Sequence, residues 1–170
     1  MQIGMTIPLQ KFLKQPKPPY GEPEDLFYCW EAHVILFQGR ETLIAVNASN
    51  RFAVILWGMT PADWADFPER LKEGIAAGFG SEGYTDEQIQ AYFKKAGEIQ
   101  ITKTHGRRPV AGLNRAVERL LDLTAAADKR RKDQPLHSRF ANEELCSAAG
   151  FAEKGYPRAF LAADMKRVGI

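Results

Sequence analysis

Two adjacent arginines stand where a polar stretch of the chain passes into an apolar, helix-like run, THGRRPVAGLN, residues 104–114. The free N–H groups and partial positive charge of a helix N-terminus favour anions. Arg107 and Arg108 would add bidentate donors for a carboxylate or phosphate. Thr104 and Asn114, at the two ends of the stretch, complete this candidate ligand site. The alternative is an ordinary helix start with solvated arginines, since the stretch has neither a Walker lysine–serine end nor a dinucleotide-binding glycine triplet.

A second candidate site lies in CWEAH, where Cys29, Glu31 and His33 alternate and therefore share one face of a strand. Arg51, on a later strand, is expected at the same end of that face. Such residues could form a metal site, an activated thiolate or an acid/base pair. Cys29 and His33 are roughly 13 Å apart along a strand, too far for a thiolate–imidazole pair. We expect Glu31 to pair with His33 or Arg51 at a solvated polar end, with no metal and no cofactor.

A run of four basic residues, KRRK at 129–132, could contact nucleic acid. Asp128 and Asp133 flank the run, and no aromatic side chains for base stacking are interleaved with it. A solvated loop between helices is the alternative interpretation.

Three apolar segments in quick succession must position the second site. They are FYCWEAHVILF (27–37), ETLIAVN (41–47) and RFAVILW (51–57). Short turns at Gly39-Arg40 and Ala48-Ser49 predict tight hairpins and thus an antiparallel meander. These turns predict a register in which Leu36 faces Leu43 and Val46 faces Arg51.

Side-chain alternation gives this meander one face that is apolar almost throughout. That face carries Tyr28, Trp30, Ala32, Val34, Leu36, Leu43, Ala45, Phe52, Val54 and Leu56. The opposite face is apolar at one end and polar at the other. A sheet of this kind is expected to have helices over both faces, at least in part.

The rest of the chain predicts a mixture of helices, a proline-rich connector and short strands. The expected elements are an edge strand at Met1–Met5, a connector at Gln15–Asp25, a strand at Glu98–Thr104, and helices beginning after Thr6, Thr60, Asp66 and Thr85. The predicted fold class is α+β. An antiparallel sheet of about four to five strands, built on the meander, packs with helices from the middle and C-terminal parts. We expect residues 1–170 to form one domain.

Bulk composition is that of an ordinary globular protein, with 45% hydrophobic and 26% charged residues. The net charge of +2 is too small to imply a polyanionic partner by itself. No apolar run approaches the roughly 20 residues that span a bilayer, and the N-terminus lacks the pattern of a secretion signal. Two cysteines make no disulfide framework, so a cytoplasmic location is expected.

The order of these features resembles an uncharacterised bacterial family, the domain of unknown function DUF6933. The resemblance covers roughly Met1–Leu121, with a looser match at Phe140-Ala141-Asn142. The matching residues are Trp30, Ala32, Arg40, Val46, Asn47, Arg51, Phe52, Thr104, Arg108, Val110, Gly112 and Asn114. This resemblance implies an α+β unit and brings no established activity, cofactor or catalytic residue.

Three functions remain open on the sequence. The first is a binding or interaction module for a small anion, a peptide or a protein partner, which the lack of a tightly spaced catalytic constellation favours. The second is an enzyme acting on a small anionic substrate, with Glu31 or His33 as acid/base and arginines as the anion clamp. The third is nucleic-acid binding through Arg107, Arg108 and the 129–132 run.

Overall fold

A mixed five-stranded sheet forms the centre of the computed structural model, which describes residues 1–170. Its strands are β1 (Gln2–Met5), β2 (Cys29–Phe37), β3 (Arg40–Asn47), β4 (Ala53–Leu56) and β5 (Gln100–Lys103), in the order β4-β3-β2-β1-β5. The strands β2, β3 and β4 form the predicted antiparallel meander. The α+β class is confirmed, whereas the purely antiparallel sheet is wrong because β1 runs parallel to both β2 and β5.

Strand β1 lies inside the sheet, so its prediction as an edge strand is also wrong. Its Ile3 is fully buried. More than 20 residues separate β1 from β2, enough for the crossover that a parallel pair needs. A strand of four residues gives too weak a pattern for the sequence to reveal that both of its edges are paired.

The turn between β2 and β3 comes one residue earlier than predicted. Gln38 and Gly39 occupy it with φ of 47° and 74°, the left-handed pair of a type I′ hairpin. The register consequently pairs Val34 with Leu43, not Leu36. The predicted pairing of Val46 with Arg51 is wrong as well: residues 48–52 form a longer connection than a tight hairpin, and Val46 pairs with Ala53. Because the error is two residues, every side chain still points to the predicted face.

Seven helices surround the sheet. They are α1 (Ile7–Phe12), α2 (Pro61–Ala65), α3 (Phe67–Ser81), α4 (Asp86–Ala96), α5 (Arg107–Asp122), α6 (Pro135–Ala141) and α7 (Pro157–Arg167). On the Trp30 face, 23 buried residues form the main core, drawn from the sheet and from α1–α4 and α7. On the opposite face, α5 and α6 cover a smaller core of nine buried residues around Ile44 and Ile55.

Threonine caps explain where several helices begin. The side chains of Thr6, Thr60 and Thr85 each accept a first-turn backbone N–H, as predicted, which satisfies a donor that the helix leaves free. Helix α3 also begins after Asp66 as predicted, although the Asp66 side chain makes no capping hydrogen bond there.

Candidate functional site

The strands β1 and β5 are parallel neighbours whose following helices lie on opposite faces of the sheet. The chain passes from β1 into α1, whose Leu9 joins the main core, and from β5 into α5, whose Leu113 joins the smaller core. In many open sheets ligands bind beyond the carboxyl ends of the strands, at the point where the chain changes direction in this way. Residues 104–106, which join β5 to α5, lie at this point and are called here the β5–α5 junction.

Helix α5 begins without a side-chain cap. Gly106 is the N-cap residue with φ of 111°, a conformation that favours glycine, and the first turn of α5 contains no acidic residue. The backbone N–H groups of Gly106, Arg107 and Arg108 have no hydrogen-bond partner within the protein. These donors lie at the positive end of a 16-residue helix and can bind an anion.

The two arginines of the first turn have different surroundings. Arg107 is exposed and makes no ion pair or hydrogen bond, so its guanidinium is free for a ligand. Arg108 is also exposed, but its Nη2 donates to the main-chain carbonyl of Ala148 at 3.2 Å. Arg108 therefore helps to hold the C-terminal part of the chain beside α5.

Arg51 has a similar structural role and lies against α5. Its guanidinium donates to the carbonyls of Ser147 and Gly112 at 3.1 and 3.3 Å. A Cβ at Gly112 would lie 2.8 Å from Arg51 Nε, so the glycine makes room for the arginine. Arg51 is thus not paired with Glu31.

Glu31 is fully buried, although the sequence predicted a solvated polar end. Its Oε1 accepts hydrogen bonds from the backbone N–H and the Nδ1 of His105, at 2.8 and 2.9 Å. Its Oε2 is buried without a partner. The expected pairs with His33 and Arg51 do not form, because β5 and the β5–α5 junction bring His105 onto this face instead.

His105 is the residue that the sequence reasoning missed. Its side chain is only 2% exposed and spans the space between Glu31, Gln2 and Thr102. Gly4 makes this possible, since a Cβ there would lie 3.0 Å from His105 Nδ1. The only sequence signal was its position between a predicted strand and a predicted helix, within the stretch that raised the anion-site hypothesis.

His33 lies one alternation beyond Glu31 on the same face and is half-buried. Its Nδ1 lies 2.9 Å from Oγ1 of Thr6, which also caps α1. Burial lowers the pKa of His33, which favours the neutral imidazole. His33 is therefore tied to the start of α1, not to Glu31.

The remaining candidates of the 104–114 stretch are separated. Thr104 is half-buried at the β5–α5 junction, beside Gly4. Asn114 is exposed about two turns into α5, so it does not join Thr104 at the start of the helix.

Neither cysteine is suited to nucleophilic chemistry. Burial is the main cause that raises the pKa of Cys29 to about 12, and it also raises that of Cys146. Both thiols therefore stay protonated near neutral pH, and thiolate catalysis has no support.

Acidic neighbours hold most of the basic loop at 129–132. Arg130 pairs with Asp128 at 2.9 Å, Arg131 pairs with Asp133, and Lys132 reaches Asp63 at 2.5 Å. Only Lys129 has no acidic partner. An open cleft of about 220 Å³ adjoins this loop, and its lining includes Leu56 and Met59. The two cations of the lining are Lys132 and Arg70 of α3, and Arg70 is paired with Glu73.

The fold and this junction define an α+β protein with a mixed sheet and an uncapped helix start beside a buried carboxylate–histidine pair. The chain belongs to the family described as Domain of unknown function (DUF6933), whose sequence model matches residues 2–160. This match extends beyond the resemblance seen in the sequence and includes α6. No curated protein and no solved structure is significantly similar to the chain. None of its helices combines the length and the apolar character needed to cross a membrane.

Proposed function

We propose that this protein is a binding module that recognises a carboxylate or phosphate group at the start of α5. The observation that carries the proposal is the set of three consecutive backbone N–H groups, at Gly106, Arg107 and Arg108, that have no partner within the protein. The unpaired guanidinium of Arg107 adds a charged donor beside them. The anionic group would belong to a small molecule or to a partner protein.

The position of these donors in the fold supports the proposal independently. They follow the carboxyl end of β5, next to the end of β1, where the chain moves to opposite faces of the sheet. A ligand there would lie outside the sheet without displacing the core.

The enzymatic alternative has less support. Its proposed acid/base, Glu31, is fully buried beneath the β5–α5 junction, so a substrate could reach the carboxylate only after that segment moved. His33 is half-buried and already bonded to Thr6. Of the three arginines expected as its anion clamp, Arg51 and Arg108 already bind main-chain carbonyls, and only Arg107 is unpaired.

Nucleic-acid binding is also less favoured. Duplex binding draws most of its affinity from many unpaired cations along one surface. In the loop at 129–132, three of the four cations already have acidic partners.

Titration of ¹⁵N-labelled protein with sulfate, phosphate and citrate tests the proposal. We expect saturable amide shifts at Gly106, Arg107 and Arg108, because their N–H groups would bind the anion directly. The variant Arg107→Glu should weaken binding at least fivefold, since it replaces an attractive charge with a repulsive one near the helix N-terminus, a change of about 1 kcal/mol or more.

The matched control is Lys129→Glu, which makes the same change of charge at an exposed and unpaired residue outside α5. It should leave the affinity within about twofold of wild type. Equal losses in the two variants would indicate general charge attraction, and the absence of saturable shifts would reject the proposed site.

A further inference from the structure

Residues 16–20, PKPPY, cross the surface between α1 and β2 and are called here the proline segment. Proline fixes its own φ at about −65°, and a residue that precedes proline is held in extended or polyproline II backbone. Because prolines stand at positions 16, 18 and 19, residues 15–19 all meet at least one of these conditions. The segment lies outside every helix and strand. Its sequence therefore favours the polyproline II conformation.

The exposure of the proline segment follows the repeat of a polyproline II helix. Such a helix has three residues per turn, so residues three apart lie along the same edge. Pro16 and Pro19 share one edge, and Lys17 and Tyr20 share a second. All four are exposed, and 77% of Tyr20 is accessible to solvent. Pro18, on the third edge, is buried. The segment is therefore attached to the molecule along one edge and presents the other two to solvent.

Contacts at both ends hold the proline segment in place. At its beginning, Gln10 Nε2 donates to the carbonyl of Gln15 at 3.2 Å. At its end, the carbonyl of Pro19 accepts the N–H of Lys103 at 2.8 Å, and the Lys103 ammonium lies 3.3 Å from the centroid of the Tyr20 ring. A partner that bound the segment would therefore order little chain, which lowers the entropy cost of association.

Lysines without acidic partners surround the proline segment. They are Lys11, Lys14, Lys17 and Lys103, of which the first three are exposed and follow one another at intervals of three residues. Elsewhere in the chain, Lys72 and Lys132 show that lysines here do form ion pairs where a carboxylate is near. Glu22 and Glu24 come only after the segment. Its amino-terminal side is therefore a positive surface, which complements acidic groups on a partner.

We infer that the proline segment is a docking site for a partner protein whose groove is lined with aromatic side chains and bordered by carboxylates. Pro16 and Pro19 have the spacing with which proline-rich ligands pack on aromatic rings. The carbonyls of Pro16 and Lys17 accept no hydrogen bond within the protein, so they are free for donors in the groove. Carboxylates at its border would pair with Lys14 and Lys17. Lysines alone would attract any polyanion, whereas the exposed prolines favour an aromatic groove.

Titration of ¹⁵N-labelled full-length protein with a panel of purified SH3 domains that carry acidic residues beside the aromatic groove tests this inference. We expect saturable shifts of the Lys14, Lys17 and Tyr20 amides with at least one domain. The double variant Pro16→Ala, Pro19→Ala should weaken that binding about fivefold or more, because alanine loses the ring contacts and the restricted backbone. Lys17→Glu should also weaken it, since it replaces an attractive charge with a repulsive one.

Pro23→Ala is the matched control, because Pro23 is an exposed proline of the same connector that lies outside the proline segment. It should leave the affinity within about twofold of wild type. Equal losses in the two proline variants, or no saturable shifts with any domain, would overturn the inference.

Two further titrations, with a single-stranded oligonucleotide and with vesicles of phosphatidylcholine and phosphatidylserine, separate an aromatic groove from a polyanion. We expect weaker shifts of the Lys14, Lys17 and Tyr20 amides with these probes than with the SH3 domains. Stronger shifts would overturn the inference, since the lysines alone would then account for binding. Anion binding at the start of α5 is not required for any of these results, so the docking site and the proposed function stand or fall separately.

Discussion

Asn142, at the C-terminal end of α6, binds both main-chain groups of Ala53 on β4. Its Oδ1 accepts the Ala53 N–H at 2.7 Å, and its Nδ2 donates to the Ala53 carbonyl at 2.9 Å. The side-chain amide therefore takes the place of a neighbouring strand. One turn earlier in α6, the Ser138 hydroxyl also bonds to β4, because its oxygen accepts a hydrogen bond from the N–H of Ile55. The edge of the sheet is thus closed by a helix, which prevents a further strand from pairing there.

Replacing Asn142 should destabilise the protein strongly. Asn142→Ala leaves a buried donor and a buried acceptor of Ala53 without partners, and we expect a loss of about 2–4 kcal/mol in the free energy of unfolding. Urea denaturation followed by circular dichroism measures this loss. The control Asn114→Ala changes an exposed residue and should stay within about 0.5 kcal/mol of wild type. Equal effects of the two substitutions would show that the amide does not support β4.

Local signals in the sequence predicted much of this fold. The alternation around Trp30 and Val54 identified the main core face, because a strand repeats every two residues and an even error of register does not change the face. Threonines followed by polar or proline residues identified the helix starts at Thr6, Thr60 and Thr85, because a cap depends on contacts within one turn.

Contacts between distant parts of the chain could not be predicted in this way. Glu31 and His105 are 74 residues apart, and only the parallel pairing of β1 with its two neighbours brings them together. The bonds of Asn142 to β4 span 89 residues and likewise have no local pattern. The roles of the candidate ligand residues stay predictions, since they depend on a partner molecule as well as on the fold.

The close approach of His105 to β1 makes Gly4 intolerant of any side chain. In Gly4→Ala the new Cβ would overlap Glu31 Oε2 and would lie 2.9 Å from Thr104 Cα and 3.0 Å from His105 Nδ1, so the carboxylate and the junction must both move. We expect a loss of about 1–3 kcal/mol, as for overpacking elsewhere in protein interiors. Thermal unfolding provides the measurement.

Gly80→Ala is the matched control for Gly4→Ala. Gly80 lies in α3, and no neighbouring atom lies within 4 Å of the position that an alanine methyl group would take, so alanine should stabilise the helix by about 0.5–1 kcal/mol. A neutral effect of Gly4→Ala would mean that Glu31 and His105 do not occupy the space above β1.

The bond between Lys132 and Asp63 predicts a loss of stability in acid. Burial alone would raise the pKa of Asp63, but hydrogen bonds from Lys132 and Thr60 lower this pKa from 3.8 to about 2. A carboxyl with a lowered pKa in the folded state contributes stability above pH 3.8, and this contribution is lost as the pH falls towards 2. Asp63→Asn should therefore lower the stability at pH 6. The variant should also lose less stability than wild type between pH 4 and 2, as measured by urea midpoints. An unchanged acid profile in the variant would contradict this linkage.

A hydrogen-bond chain through Tyr92 gives the last prediction. Trp30 Nε1 donates to the Tyr92 hydroxyl at 2.9 Å, and that hydroxyl donates to the Phe27 carbonyl at 3.0 Å, all within the main core. Tyr92→Phe keeps the packing of the ring but leaves the buried Trp30 N–H without a partner, whereas the Phe27 carbonyl still accepts from Asn47 Nδ2. We therefore expect a loss of about 1–3 kcal/mol in unfolding free energy. Tyr84→Phe removes a hydroxyl that has no hydrogen-bond partner in the protein and should cost less than about 0.5 kcal/mol. Chemical denaturation of the two variants side by side separates the hydrogen bonds from the ring, and equal stabilities would mean that the chain from Trp30 to Phe27 contributes nothing.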